Sequence, residues 1–457
     1  MVSTPAPSAL PSTCDVLVVG AGPAGSACAQ LLAAAGRRVL LVDQHDFPRD
    51  KVCGDGLIPD SHAALRRLGV ADEVACLATA VSHVRCVAPR GGCVDVPGAL
   101  AVLPRKVLDH VLVRAAQRAG VQLLTPWRFE APLMDGDRVV GGRFRAAGRH
   151  GTNTANTANT AKGAELANGA AGAAGAAGAA GAAGNGPDDG AHHADSLCIN
   201  AKWVVLATGA VPQALQAAGL CSRHTPSGVA LRGYVRNEAL VGRITQLHMV
   251  WHPRLRGGYG WIFPAPGGVF NIGTGLIGSH VRKDDGKGQM QDVNLRAMLR
   301  AFCELYAPAR ELMAGGQLLG AVKGAPMRCS LQGARWSRPG LLATGEAAGS
   351  TYSFSGEGIG KALETGMLAA EALLRADWQD DRPVRWAYEA ELARLQPRFV
   401  MYDKASFVNH HPWLADLVVW RARRSARIRQ RIAQVLEEKQ NPGHLFTVRG
   451  VAKLMME

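Results

Sequence analysis

Asp15-Val16-Leu17-Val18-Val19-Gly20-Ala21-Gly22-Pro23-Ala24-Gly25 is the stretch that decides the fold of this 457-residue chain. The apolar run that ends at Gly20 predicts a buried β-strand, and the alanine-rich and leucine-rich segment 26–36 predicts a helix that ends at a glycine. A second apolar strand follows over 38–43. This β-α-β unit is typical of the opening of a parallel, nucleotide-binding sheet.

The glycines between the first strand and the helix predict a dinucleotide site. Gly20, Gly22 and Gly25 allow a tight turn and close approach of a pyrophosphate, and the N-terminus of the helix attracts its negative charge. Asp43 ends the second strand, 18 residues after Gly25, where an acid can accept hydrogen bonds from ribose hydroxyls. A plain glycine turn is the competing interpretation, but strand, glycines, helix, strand and acid all occur in the expected order.

Composition and charge limit the class of protein. The length predicts two to three domains with a sizeable core, which excludes a small binding module. A content of 47% hydrophobic and 19% charged residues excludes general disorder, and the net charge of +14 suggests a phosphorylated substrate, an anionic membrane surface or nucleic acid as a partner. The ten cysteines form no C-x-x-C pair, so we expect no metal site and a reducing, cytoplasmic environment. No positively charged segment precedes the first apolar run, so we expect no signal peptide.

The order of strand-like and helix-like segments predicts a split organisation. Residues 151–191 contain Asn-Thr-Ala and Gly-Ala-Ala triplets that cannot bury apolar surface, which predicts a disordered loop at a hairpin tip. Short strands and turns over 228–277 predict an antiparallel sheet. The predicted divisions are a dinucleotide-binding domain in three parts, 12–77, 105–215 and 331–378, a substrate domain in two parts, 78–104 and 216–330, and a C-terminal helical region, 379–457.

Three further motifs carry a family resemblance. Residues 47–57 read Phe-Pro-Arg-Asp-Lys-Val-Cys-Gly-Asp-Gly-Leu, and residues 259–264 read Tyr-Gly-Trp-Ile-Phe-Pro, followed by Gly-Thr-Gly over 273–275. Gly-Glu-Ala-Ala-Gly over 345–349 precedes Gly-Glu-Gly-Ile over 356–359. With the glycine fingerprint, whose Pro-Ala filling favours FAD over NAD, these motifs resemble the geranylgeranyl reductase family of FAD-dependent oxidoreductases, within the p-hydroxybenzoate hydroxylase-like superfamily.

The resemblance implies an α/β fold with a split Rossmann-type FAD-binding domain, an antiparallel-sheet substrate domain and a C-terminal helical region. It implies that residues from three of the four motifs and from the start of a helix bind FAD: Gly20, Gly22, Ala24, Gly25, Asp43, Lys51, Cys53, Gly54, Arg105, Glu346, Gly358 and Ile359. It further implies that three residues shape the reaction site: Cys53, Tyr259 and Trp261.

Alternative interpretations accompany several of these residues. A cysteine is usually inert packing, but the resemblance places Cys53 beside the flavin, where a thiol can orient substrate or donate a proton. Tyr259 and Trp261 are either ordinary sheet core or the wall of an apolar cavity suited to a prenyl chain. Arg105 is either a cofactor contact or a solvated helix-start residue, and Arg49 and Lys51 bind phosphate or remain surface charge.

Two positions depart from the family pattern. Glu346 stands where the family usually has aspartate, and Thr208 stands where Ala-Asp-Gly is common. The longer carboxylate at the first position predicts a shifted contact to the ribityl chain. Loss of an acid at the second position removes a polar contact without preventing the turn.

The resemblance implies reduction of carbon-carbon double bonds in a prenyl or other lipophilic substrate, with NADPH or a reduced ferredoxin as a possible electron donor. An aromatic flavin monooxygenase is the main alternative, followed by a flavin halogenase and a non-enzymatic electron carrier. Six arginines over 421–431 lie in a predicted helix. They indicate a solvated helix or peripheral contact with the inner face of an anionic membrane, whereas no nucleic-acid motif accompanies them.

Overall fold

The computed structural model describes residues 11–148, 196–222, 226–278, 280–282, 288–290 and 294–439. The strands, in chain order, are β1 (Thr13–Val19), β2 (Val39–Val42), β3 (Gly56–Leu57), β4 (Thr79–Val87), β5 (Cys93–Val102), β6 (Gln122–Leu124), β7 (Trp127–Asp135), β8 (Arg138–Ala146), β9 (Ser196–Leu206), β10 (Gly228–Arg236), β11 (Leu247–Val250), β12 (Gly258–Ala265), β13 (Val269–Ile277), β14 (His280–Arg282), β15 (Gly288–Met290), β16 (Gln317–Leu318), β17 (Lys323–Met327), β18 (Ser337–Arg338) and β19 (Leu341–Ala343). The α-helices are α1 (Pro23–Ala34), α2 (Pro59–Arg67), α3 (Ala71–Leu77), α4 (Arg105–Arg118), α5 (Gln213–Ala217), α6 (Leu295–Leu305), α7 (Ala307–Gly315), α8 (Ile359–Arg375), α9 (Asp381–Ala405), α10 (Phe407–His410), α11 (Trp413–Arg424) and α12 (Ala426–Leu436).

The first sheet has the parallel core that the opening motif predicts. Its order is β18-β19-β9-β1-β2-β6, and β19, β9, β1, β2 and β6 all pair in parallel. The middle strands β1, β2 and β9 are buried along most of their length, as expected where helices cover both faces of a sheet. Helices α1 and α8 pack so closely that a Cβ on Gly366 would lie 2.2 Å from the Ala24 carbonyl oxygen.

The second sheet has the order β16-β10-β13-β12-β11-β4-β5-β3, with β17 also paired to β10. The pairing is antiparallel except between β4 and β11. Helices α6 and α7 pack on this sheet through an apolar face that includes Leu299, Phe302 and Leu312. The predicted mixed architecture, with a parallel sheet, an antiparallel sheet and a helical C-terminal region, is confirmed.

The boundaries of several elements differ from the sequence prediction. Helix α1 begins at Pro23, three residues before the predicted start, so Ala24 and Gly25 belong to its first turn. Proline at the first helical position is favoured because its missing N–H has no partner there in any case. Strand β7 was not predicted, since Pro132 interrupts its apolar pattern. It pairs with β8, and an edge position tolerates a proline.

The sequence predicts one helix for the arginine run 421–431, but the structure has two helices there. Ser425 ends α11 in an extended conformation, and its hydroxyl accepts a hydrogen bond from the Ile428 N–H at 3.3 Å. A serine in this geometry caps a new helix, which is α12. The six arginines are therefore divided between two helices.

The proposed insert 151–191 lies outside the described residues. The strands on either side of it are described, and they pair antiparallel with Arg145 opposite Ser196. The chain therefore leaves and re-enters this region at neighbouring points of the first sheet. Among the described residues, no helix has both the length and the apolar character needed to cross a bilayer.

Candidate active site

At Gly20 and Gly25, the junction between β1 and α1 leaves room only for glycine. A Cβ on Gly20, which has φ +101°, would lie 2.4 Å from the Ala207 carbonyl oxygen, and a Cβ on Gly25 would lie 1.8 Å from the Gly20 oxygen. Real Cβ atoms do not approach backbone oxygens so closely. Gly22 is the N-cap of α1 and provides no side-chain cap, so the first turn of α1 keeps amide groups that can bind an anion.

Asp43 lies beside this loop, directly after β2. Its carboxylate accepts hydrogen bonds from the Ala21 N–H at 2.8 Å and from the His45 N–H at 3.0 Å. Burial raises the pKa of Asp43, but the His45 side chain and the Arg49 guanidinium lower it by more, so the pKa is below its ordinary value. The carboxylate is therefore ionised at neutral pH, as an acceptor for ribose hydroxyls must be.

Two guanidinium groups border the glycine loop and share one carboxylate. Arg105 binds Asp109 through two contacts, Nε to Oδ1 at 2.6 Å and Nη2 to Oδ2 at 2.8 Å, and Arg49 Nη1 lies 3.1 Å from Asp109 Oδ2. A Cβ on Gly22 would lie 3.6 Å from Arg49 Nη2 and 3.8 Å from Arg105 Nη2. The buried position of Arg105 does not fit the interpretation as a solvated helix-start residue. Sequence reasoning missed Asp109, although its i, i+4 spacing from Arg105 on one helix was a usable signal.

The two departures from the family pattern lie next to each other. Glu346 Oε1 accepts a hydrogen bond from the Thr351 hydroxyl at 3.4 Å, and its Oε2 lies 4.0 Å from where a Cβ on Gly209 would be. Within the described part of the chain, the buried hydroxyl of Thr208 has no hydrogen-bond partner. A buried hydroxyl without a hydrogen-bond partner favours the binding of a ligand that supplies such a partner.

Helix α8 begins where the resemblance expects it. Gly358 is its N-cap, without a side-chain cap, and Ile359 is its first residue. A Cβ on Gly358 would lie 2.6 Å from the Thr351 hydroxyl oxygen, so a side chain here would displace Thr351. The same hydroxyl donates to Glu346, so this turn and Glu346 are neighbours. Together with the glycine loop, Asp43 and the two guanidinium groups, these residues fit FAD as an extended dinucleotide.

A buried hydrogen-bond network supports the other side of the site. Asp55 is fully buried at φ 65° and accepts hydrogen bonds from the Tyr234 hydroxyl at 2.5 Å, the Asn271 side-chain amide at 2.7 Å and the Arg105 backbone N–H at 3.2 Å. Burial raises the pKa of Asp55 to about 6, although the hydrogen bond from Tyr234 and the charge of Arg232 lower it. The network joins strands β10 and β13 of the second sheet to the loop that follows Cys53.

Asn271 is the central residue of this network. Its amide nitrogen also donates to the Cys53 carbonyl oxygen at 2.8 Å, and its amide oxygen accepts from Trp261 Nε1 at 2.9 Å. Trp261 is therefore fixed relative to the Cys53 loop through one side chain. Sequence reasoning missed Asp55, Tyr234 and Asn271, because nothing in their local sequence indicates that they meet.

Aromatic rings form a continuous wall on the second sheet. Ring centroids are 5.9 Å apart for Trp251 and Tyr259, 6.1 Å for Tyr259 and Trp261, and 6.4 Å for Trp261 and Phe263. Phe354 stacks on Trp251 at 6.3 Å. We call these five residues the aromatic wall.

Glycines make room for the wall and for its contact with the loop that contains Cys53. A Cβ on Gly273 would lie 2.2 Å from the Trp261 ring, and a Cβ on Gly54 would lie 3.2 Å from the Phe263 ring. The Tyr259 hydroxyl donates to the Ser355 carbonyl oxygen, one turn before α8. The wall therefore contacts both the Cys53 loop and the loop that leads to α8. Tyr259 and Trp261 themselves are largely buried, at 9% and 5% exposure.

The Cys53 side chain lies within hydrogen-bonding reach of Arg105 and close enough to Tyr259 of the aromatic wall for their charges to interact. Burial raises the pKa of its thiol, and the neighbouring Arg105 guanidinium, which is within hydrogen-bonding reach, offsets only part of that rise. The thiol therefore keeps its proton at neutral pH. The side chain of Lys51 is half-buried, and its carbonyl oxygen accepts a hydrogen bond from Arg232 Nη2 at 3.0 Å.

A second network of buried charges lies next to the first turn of α8. Lys361, only 2% exposed, pairs with Glu364 and with Glu438 near the C-terminal end of the described chain. Burial, with the negative charges of Asp60 and Glu438, raises the pKa of the adjacent Glu357 to about 8. Glu357 is therefore mostly protonated at neutral pH. The sequence motif contained this glutamate but gave no indication of its protonation.

Comparison with known proteins agrees with this geometry. Residues 13–164 match the family model of an FAD-binding domain. A menaquinone reductase of Mycolicibacterium smegmatis is 31% identical over 378 residues, which cover 79% of this chain and 76% of that protein. A digeranylgeranylglycerophospholipid reductase of Methanopyrus kandleri is 26% identical, over 86% of this chain and 94% of that protein.

Solved structures share the fold over nearly the whole length. A geranylgeranyl bacteriochlorophyll reductase-like protein from Thermoplasma acidophilum superposes with a TM-score of 0.68 and 19% identity, covering 98% of this chain and 96% of that one. A flavin-dependent brominase superposes with a TM-score of 0.65 and 17% identity, covering 97% and 98%. Likeness at such identities concerns the fold alone, so family membership rests on the sequence relatives. The chain belongs to the geranylgeranyl reductase family of FAD-dependent oxidoreductases.

Proposed function

We propose that this enzyme reduces carbon-carbon double bonds in the prenyl part of a lipid. The observation that carries the proposal is the position of the Cys53 thiol, which keeps its proton, close to both Arg105 and Tyr259 of the aromatic wall. Two relatives are named as reductases of a prenylated quinone and of a prenyl-chain phospholipid. An apolar chain fits against aromatic rings that are held in place and offer few polar groups.

The residues have distinct roles in this proposal. FAD, when bound and reduced, supplies the hydride for one carbon of the double bond. Cys53 holds the proton that the other carbon needs, and Arg105 stabilises the thiolate left after transfer. Asn271 fixes the backbone of Cys53 and the ring of Trp261 together, so the proton donor and the wall keep a constant distance. The wall excludes water and orients the chain. Lys51 and Glu346 are proposed to contact FAD through its phosphates and its ribityl chain, respectively.

The proposal is tested by anaerobic turnover. We expect enzyme reduced with dithionite to convert a polyprenyl substrate without oxygen, giving a product heavier by two hydrogens for each bond reduced, as measured by mass spectrometry. Menaquinone and a digeranylgeranyl lipid are the first substrates to compare. The same assay, with NADPH or reduced ferredoxin in place of dithionite, identifies the electron donor by bleaching of the flavin absorbance.

An aromatic monooxygenase is the second candidate, because the fold is shared with oxygen-using flavoproteins such as p-nitrophenol 4-monooxygenase. A product that forms only in air and contains an added oxygen atom would replace the reductase proposal with that one. A halogenase would require halide in addition to oxygen. Neither outcome would change the assignment to FAD-dependent oxidoreductases.

A further inference from the structure

The outer surface of the C-terminal helices exposes large aromatic side chains beside arginines. Phe407 on α10 is 51% exposed, and Trp413 and Trp420 on α11 are 60% and 47% exposed. Arg423 and Arg424 are also exposed. We call these five residues the docking face. Most residues of this size are buried in a folded protein, so three exposed aromatic rings on consecutive helices require an explanation.

The geometry of α11 brings the aromatic and basic groups together. Trp413 and Trp420 are seven residues apart, which places them on the same side of a helix, and Arg424 is one further turn along. The Arg424 guanidinium lies 4.6 Å from the centre of the Trp420 ring. The sequence 406–436 contains six arginines and one acidic residue, Asp416. Asp416 lies on the same side of α11 as the two tryptophans, and the exposed Arg423 and Arg424 leave the end of this face with a net positive charge.

The opposite side of α11 packs on strands β4 and β5 of the second sheet, whereas α10 contacts the aromatic wall directly. Leu414 and Val419 of α11 belong to one apolar cluster with Trp251, Tyr259 and Trp261. At α10, Asn409 accepts a hydrogen bond from Trp251 Nε1 at 2.9 Å and donates to the Phe354 carbonyl oxygen at 3.1 Å. The backbone oxygen of Asn409 also accepts from the Gly257 N–H at 2.7 Å, at the start of β12. The inner side of these helices therefore belongs to the same apolar cluster as the wall, and the docking face is their outer side.

We propose that the docking face binds the headgroup region of an anionic lipid bilayer. Tryptophan is favoured at the boundary between headgroups and acyl chains because its ring is apolar and its N–H remains hydrated. Arginines beside it are attracted to the negative surface of the leaflet. Docking in this orientation brings the aromatic wall next to the bilayer that contains a lipophilic substrate. The proposal goes beyond the proposed reaction and does not depend on which bond is reduced.

Vesicle cosedimentation tests the proposal with the FAD-loaded full chain and no substrate. We expect the protein to sediment with vesicles of phosphatidylglycerol and phosphatidylcholine in equal parts, and to bind less as salt rises, because screening shortens the reach of each charge. Arg423→Gln with Arg424→Gln should weaken binding roughly 30-fold at low salt, from about 1 kcal/mol for each arginine. Trp413→Ser with Trp420→Ser should weaken it about tenfold.

Matched controls carry the same chemical changes away from this surface. Trp386 on α9 is 66% exposed, and Arg66 and Arg114 are exposed on α2 and α4. Trp386→Ser alone, and Arg66→Gln with Arg114→Gln, should bind vesicles as the unchanged protein does. FAD content and near-ultraviolet circular dichroism verify that each variant is folded.

Two results would overturn the proposal. One is equal binding of the unchanged protein to pure phosphatidylcholine and to anionic vesicles, and the other is an equal loss of binding in the control and docking-face variants. Because no turnover is measured, failure here leaves the proposed reaction untouched. Conversely, an inactive enzyme that still docks would reject only the reaction.

Discussion

The proposed cofactor side and the proposed substrate side of the site are built in different ways. Around Gly20 and Gly25 the chain backbone itself is the binding surface, and neighbouring backbone oxygens leave no room for a side chain. Around Asn271 the surface depends on side chains from the Cys53 loop, β10, β12 and β13 that hydrogen-bond to one another. An added side-chain atom at Gly20 or Gly25 would disrupt the first region, whereas the loss of a hydrogen-bonding group would disrupt the second.

This difference explains why a local sequence motif reveals the first region but not the second. A backbone turn suited to pyrophosphate constrains the local sequence, and it recurs wherever a dinucleotide binds at a strand-helix junction. A side-chain network can use any partners that the fold brings together, so it can vary with the substrate. Four experiments test this distinction.

Gly25→Ala should have the largest effect. The added methyl group would overlap the Gly20 carbonyl oxygen, so the β1–α1 loop must move and the phosphate contacts are lost. We expect the purified protein to contain almost no FAD and to lose about 3 kcal/mol or more of unfolding free energy from the overpacking. Flavin absorbance and chemical denaturation measure the two effects.

Gly148→Ala is the matched control, because nothing lies within 4 Å of the position of its Cβ. It should keep its flavin and its stability. Normal FAD retention in Gly25→Ala would show that the backbone of this loop adapts, contrary to the comparison drawn above.

Removal of the charge at Asp55 should change how stability depends on pH. Burial raises the pKa of Asp55 from 3.8 to about 6 in the folded protein, so the folded state binds this proton more tightly than the unfolded state. The resulting stabilisation is complete below about pH 4 and is lost as pH rises through 6, by about 3 kcal/mol in total. Asp55→Asn should therefore lose less stability than the unchanged protein between these pH values.

The free energy of unfolding is measured by chemical denaturation of both proteins at pH 4.5 and pH 7. The difference between Asp55→Asn and the unchanged protein isolates the contribution of Asp55 from that of other carboxyls. Asp46→Asn, at an exposed position in the same segment, is the control and should follow the unchanged protein. Parallel pH curves for Asp55→Asn and the unchanged protein would mean that this carboxyl is ionised at both pH values.

Cys53→Ala should separate chemistry from cofactor binding. We expect normal FAD content, because the glycine loop and Asp43 are untouched, and anaerobic turnover slower by about 10²-fold if the thiol delivers the proton. Cys53→Ser should recover part of the rate, since a hydroxyl can also donate. Flavin absorbance and the rate of substrate-dependent flavin oxidation are the two measurements.

Cys303→Ala is a suitable control, because Cys303 lies on α6 against a different apolar cluster from the wall, and burial raises its pKa to about 11. It should leave turnover unchanged. Equal rates for Cys53→Ala and the unchanged enzyme would assign proton delivery to another group, and the protonated Glu357 would be the next one to test.

Shortening of the segment 151–191 should have the smallest effect. Replacement by a short Gly-Ser linker changes the closure entropy by only about 1 kcal/mol, and the antiparallel pair β8 and β9 already holds the two ends together. Flavin content and melting temperature should be nearly unchanged. A loss of several degrees in melting temperature, or of flavin, would mean that this segment contributes contacts to the fold or to the site.

The sequence by itself determined the parallel nucleotide-binding sheet, the antiparallel second sheet, the family and FAD. The two sheets follow from local features, since a glycine turn between strand and helix and the alternation of apolar residues act over a few neighbouring positions. The family and FAD follow from the resemblance of the motifs. The sequence also indicated Arg105, whose guanidinium does lie beside the glycine loop. It was wrong about a single arginine-rich helix, because Ser425 starts a new one.

Only the tertiary structure decided which distant side chains meet. Asp55 and Asn271 form a hydrogen bond although they are separated by 216 positions. Arg49 and Arg105 border the glycine loop together because both bind the carboxylate of Asp109. Protonation was equally hidden, because burial and neighbouring charge, which set the pKa of Asp55 and Glu357, arise only after the chain has packed. The exposed aromatic rings of α11 belong here too, since a helical pattern defines a face but only packing shows which face remains outside.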